Sequence, residues 1–181
     1  DAPLTLELKD VPLWKALDQF FDAAQLTRYG RPEPGGIGFQ NLPASTKRAL
    51  GRAVYTGPFR IEAVDLQVAQ NLRREGRANM TVQVECLWEP RIRPLAIFQN
   101  QQDLKLLDER GQPIALELAK STKELNLNPG EGSIQFPLTF PAPPRSVQKI
   151  SSLKASFEAL IPGQIERCEF ADIQGKLPVS Q

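Results

Sequence analysis

Residues 81–88 alternate without a break, with Val82, Val84, Cys86 and Trp88 on one face and Thr81, Gln83, Glu85 and Leu87 on the other. A period of two is what a strand with one buried face requires, so this run is expected as the central strand of the fold. A strand is also expected from Phe59, Ile61 and Ala63 on through Val64, Leu66 and Val68, and the alternation returns in I-A-L-E-L over 114–118. It returns at Ile134, Phe136, Leu138 and Phe140, then along Leu153, Ala155, Phe157, Ala159 and Ile161, with a last strand expected over 165–173. Pro137 inside one of these runs predicts an edge strand or a bulge, because proline cannot donate to a ladder. The D-E-R-G-Q run at 108–112 predicts a hairpin turn in which Gly111 supplies a positive φ. Many short strands joined by Gly, Pro and Asn turns predict an antiparallel, immunoglobulin-like β-sandwich over residues 53–181.

The front of the chain has another texture. Leu4, Leu6 and Leu8 alternate with Thr5 and Glu7, which predicts a short strand. Asp10 ahead of Val11-Pro12 is placed as an N-cap before a helix over 12–25, where Leu13, Leu17, Phe20, Phe21 and Ala24, joined by Trp14 and Ala16, recur at helical spacing. Trp14, Phe20 and Phe21 are expected as core. R-P-E-P-G-G-I-G at 31–38 reads as a turn; it lacks the Lys-Ser/Thr of a phosphate loop. G-F-Q-N-L at 38–42 is expected to complete the βα unit, and 43–52 to form a polar segment with Lys47, Arg48 and Arg52. Residues 1–52 are therefore expected as a small βα unit with a Pro/Gly-rich linker, making the whole chain mainly β and α+β overall.

The run L-T-L-E-L-K-D-V-P-L-W-K-A-L-D-Q-F-F, from Leu4 to Phe21, resembles the opening of the secretin and TonB short N-terminal domain: an alternating-leucine strand, a D-V-P-L-like turn and a helix carrying A-L-D. That resemblance implies an envelope βα module that makes protein contacts and carries no catalysis. It ends at the helix, since the second β-α element of that family is not evident here.

Composition narrows the chemistry. The 181 residues carry 22 basic and 21 acidic side chains, and a balance of +1 provides no global field to gather nucleic acid or an anionic membrane. No apolar run reaches the roughly 18 residues of a membrane span. Asp1-Ala2-Pro3 fits either a mature end left by removal of a signal segment or a cut in a longer chain. The chain has no histidine, which removes the commonest general base and metal ligand.

Asp103, Asp108 and Glu109 lack the spacing of a calcium loop, so no metal and no cofactor are expected. The acid pairs Glu85 with Glu89 and Glu166 with Glu169 stand among arginines, where cross-strand ion pairing is the ordinary role, and no catalytic residue is assigned. Cys86 and Cys168 are either bridged between sheets or two buried thiols. E-P-R-I-R-P at 89–94 sets two arginines between prolines as a stiff strand end, so Glu89, Arg91 and Arg93 are the candidate partner contact, clasping a carboxylate. These observations together predict a non-enzymatic interaction or structural module of a bacterial cell-envelope, periplasmic or secreted protein, binding another protein or another domain of a longer chain. The alternative is a carbohydrate- or small-ligand-binding sandwich, weakened by an aromatic content of 7%.

Overall fold

A computed structural model describes residues 4–28, 36–43, 53–70, 72–73, 78–114, 121–128, 130–143, 147 and 149–163. The protein is mainly antiparallel β with one α-helix among those residues. Helix α1 (Leu13–Ala23) is followed by a small hairpin of β1 (Leu26–Arg28) and β2 (Phe39–Asn41). A four-stranded sheet then combines β3 (Ala53–Thr56), β4 (Phe59–Ala69), β5 (Asn79–Trp88) and β10 (Ser133–Pro141) in the order β10-β5-β4-β3. The remaining strands are β6 (Ala96–Asn100), β7 (Lys105–Asp108), β8 (Pro113–Ile114), β9 (Thr122–Leu125), β11 (Ile150–Lys154) and β12 (Phe157–Leu160). They form β12-β6-β9 and β11-β7-β8.

The two three-stranded sheets are continuous in chain order. Strands β6 and β7 are separated only by a 3-10 turn at Gln101–Asp103, and β11 and β12 only by Ala155 and Ser156. The expected single strand over 150–161 is thus broken in its middle, where its partner also bends. One hydrophobic cluster joins the four-stranded sheet to the two three-stranded ones: Met80, Val82, Val84, Cys86 and Trp88 from β5 meet Phe136, Leu138 and Phe140 from β10, Ile97, Leu106 and Leu125 from the three-stranded sheets, and Leu104. Phe136 and Phe157 stack edge to face across it, with ring centroids 5.2 Å apart. The inward face expected for 82–88 is the one observed, with each of its four residues at 5% exposure or less.

Ladder parity explains Pro137. The Trp88 amide donates to the Gly132 carbonyl at 3.1 Å and the Ala142 amide to the Ala78 carbonyl at 2.7 Å, so the even-numbered groups of β10 face β5. Position 137 therefore points outward, and β10 is an edge strand that loses no bond to its proline. Gly111 adopts φ 74° in the expected hairpin, where Asp108 Oδ1 accepts the amides of Arg110 and Gln112 at 2.9 and 2.7 Å.

Two expectations at the front and one in β5 are corrected. Residues 4–8 form no strand, Leu4, Leu6 and Leu8 are 46, 36 and 45% exposed, and among the described residues no strand pairs with them. Asp10 does not cap α1; the N-cap position is Pro12 without a side-chain bond, and Asp10 instead takes φ 53°. Leu87, expected to face out, is 1% exposed. It lies beside Arg60 on the outer face of the four-stranded sheet, and α1 reaches that face. The expected strand at 165–173 and most of that at 114–118 lie outside the described residues, as do most of the 43–52 segment and Cys168.

Candidate functional site

α1 is held to the outer face of the sheet by polar contacts, and a cleft lies beside them. The Trp14 indole N–H donates to the Pro58 carbonyl at 3.1 Å, at the turn between β3 and β4. The Tyr55 hydroxyl and Arg60 Nε both donate to Asp18 Oδ2, at 2.6 and 2.7 Å, and Arg60 Nη2 lies 2.7 Å from Glu62. Burial by itself lowers the Arg60 pKa, but its bond to Asp18 and the charges of Asp18 and Glu62 outweigh that, and the net direction is up. Further along, Arg28 Nη2 of β1 lies 2.5 Å from Glu85 Oε1, which also accepts from Gln135 Nε2 at 3.1 Å.

The cleft of about 450 Å³ lies beyond this seam. Trp14, Ile37, Leu87 and Trp88 supply apolar wall, 90–95 forms one rim, and Asn128, Glu131 and Gly132 form the opposite rim. A second, more polar hollow of about 630 Å³ shares Arg28, Asn128, Glu131 and Gly132 with it and runs along Ser133, Gln135 and Lys123. Either volume is within the usual span of ligand sites.

The structure separates the three residues of the E-P-R-I-R-P run. Glu89 is 8% exposed, accepts a hydrogen bond from Arg91 Nε, and its own amide donates to Pro58 at 3.0 Å. The Ile92 amide closes back onto the Glu89 carbonyl at 3.0 Å, so the run is a turn at the end of β5 instead of an extended strand end. Glu89 and Arg91 are satisfied by each other. Arg93 lines the cleft, is exposed, and among the described residues has no ion-pair partner. Arg28 and Trp14 were not selected from sequence as site residues: a lone arginine after a helix and a tryptophan on its apolar face carry no signal until the tertiary fold sets them beside β5.

Cys86 is a buried free thiol whose pKa is pushed up to about 12 by burial, with the Glu85 charge adding. A thiol held neutral is a poor nucleophile. The proposed bridge partner, Cys168, lies outside the described residues. Because the folded pKa lies above the ordinary value near 9, the neutral thiol's contribution is fully present below pH 9 and is lost as pH rises toward 12. Denaturant titrations at pH 8 and pH 10.5 are expected to show lower stability at the higher pH, and a Cys86→Ala variant to lose part of that difference. Equal pH dependence in both proteins contradicts the assignment.

Among the described residues, no group of three or more His, Cys, Asp or Glu side chains is placed to hold a metal, and no helix is long and apolar enough to cross a membrane. Comparison of the chain with protein-family models, with curated proteins and with solved structures finds no match.

Proposed function

We propose that this chain is a non-enzymatic interaction or structural module of a bacterial cell-envelope or secreted protein, and that it contacts its partner at the cleft rimmed by 90–95. The observation carrying this reading is an apolar cleft beside an exposed arginine with no ion-pair partner among the described residues. That pairing of features suits a segment presenting an apolar side chain next to a carboxylate, since the guanidinium offers bidentate donors while the apolar floor takes the side chain.

Strand order supports an immunoglobulin-like reading of the β layers. In that fold strand B neighbours E in one sheet while C neighbours F in the other. Here β5 neighbours β10, and the β6–β7 strand neighbours β11–β12. Two hallmarks of antibody domains differ: Trp88 is on β5 and not on the next strand, and residues 150–160 contain no cysteine. The volume of the cleft also favours a second reading, a small-ligand site.

Selection from a displayed peptide library, run beside a glycan array, separates the two. Peptides pairing an acidic with an apolar residue are expected, and Arg93→Glu is expected to weaken them about tenfold or more, or about 1.4 kcal/mol. Glycan binding without peptide enrichment supports the alternative and removes the first reading.

A further inference from the structure

Two strands of the four-stranded sheet, β10 and the part of β4 beyond β3, treat the edges left without a described neighbour differently. On β10 the outward-pointing positions are the odd-numbered ones, and two of these, Pro137 and Pro141, have no N–H to offer. That edge is guarded against pairing. On β4 the parity is set by the Glu89 amide donating to the Pro58 carbonyl at 3.0 Å, and then shifts at the bulge between Ala63 and Asp65. Beyond the bulge, Asp65, Gln67 and Ala69 turn their main-chain groups to β5, while Leu66 and Val68 turn theirs outward. β3 covers β4 only over 59–62. Past that point no described strand pairs with the outer side of β4, and no proline or lysine guards it.

The side chains on this edge are apolar and wet. Val64, Leu66 and Val68 are 45, 54 and 60% exposed, although Leu66 and Val68 stand opposite the buried Val82 and Met80. An edge that no described strand covers, bearing exposed aliphatic side chains, is a template for another strand.

We propose that the outer edge of β4 over 65–69 is a self-association surface, on which a second copy of this chain pairs its own β4 antiparallel about a twofold axis at Gln67. The sequence is complementary to itself in that register. Leu66 falls opposite the partner's Val68 and Val68 opposite the partner's Leu66, so both outward-facing residues exchange main-chain bonds, about four in all. Gln67 meets the partner's Gln67, and Asp65 meets the partner's Ala69, so no carboxylate faces another. β10-β5-β4 then continues into the partner's sheet. One strand pair lies at the small end of interface sizes, so the dimer is weak and concentration-dependent.

Sedimentation velocity of the full chain from about 10 μM to about 1 mM tests this, because a weak dimer populates across that range. The weight-average mass is expected to climb from 20.1 kDa toward twice that value. Val68→Pro removes an outward N–H and leaves the bonds to β5 intact; Leu66→Lys places charges across the seam. Each is expected to lower the association constant at least tenfold, with circular dichroism confirming the fold; if the proline variant fails to fold, the lysine variant decides. A single-chain mass at every concentration, undiminished association in the folded variants, or growth beyond two copies overturns the proposal. Arg93→Glu is expected to leave the dimer mass unchanged, so failure of the cleft reading and failure of this one are distinguishable.

Discussion

Replacing Arg60 with alanine is expected to cost about 3–5 kcal/mol, the range for breaking an enclosed ion pair from one side. Arg60 is 7% exposed and sits between Asp18 of α1 and Glu62 of its own strand. Without it, two carboxylates remain in a partly enclosed seam, and Tyr55 is left as the other observed donor to Asp18 Oδ2. The cost arises mainly from removing the guanidinium charge beside those two carboxylates, so Arg60→Ala is expected to be worse than a double variant that also removes the Asp18 carboxylate. Urea unfolding of the two single variants and the double variant gives the coupling directly. The same seam orients Trp14, so loosening it is expected to shift tryptophan emission to the red before the global transition. Additive losses, with no coupling between positions 18 and 60, contradict the role given to this pair.

Phe136→Ala is the second large effect, about 3–5 kcal/mol. Phe136 is 4% exposed on an edge strand of one sheet and stacks on Phe157 from another, so its ring spans the core between layers. Truncation removes the transfer energy, leaves a cavity and forfeits an aromatic pair of about 0.5–1.5 kcal/mol. Phe136→Leu keeps most of the volume and is expected to cost clearly less. For a chain of this size the alanine variant should lower Tm by roughly 10 °C. A fall of only a degree or two places the ring outside the packed core.

Much of the β framework is legible because strand formation with one dry face leaves a local mark. Val82, Val84, Cys86 and Trp88 are buried as their alternation requires, Pro137 sits on an edge, and Gly111 turns a hairpin. Each follows from a rule of period, missing donor or backbone freedom that operates within a few residues. The candidate site was less legible. Glu89, Arg91 and Arg93 are adjacent in sequence, yet a turn folds the first two onto each other and leaves Arg93 on the cleft. Leu4 to Leu8 has the period of a strand, but a strand exists only where a neighbour completes its hydrogen bonds, and among the described residues none does.

The sequence by itself determined which residues prefer extended backbone, which face of each run is apolar, and where the chain turns, since these depend on side-chain period and local dihedral preference. Tertiary structure decided the rest. It placed α1 over the outer face of the sheet, burying Leu87 and Arg60 on a side that alternation assigns to water. It set β10 beside β5 and left the outer side of β4 beyond position 62 without a described neighbour. It also brought Arg28 to Glu85 across 57 positions. Pairing of this kind depends on which distant groups come within a few ångströms of one another, and no local pattern along the chain carries that information.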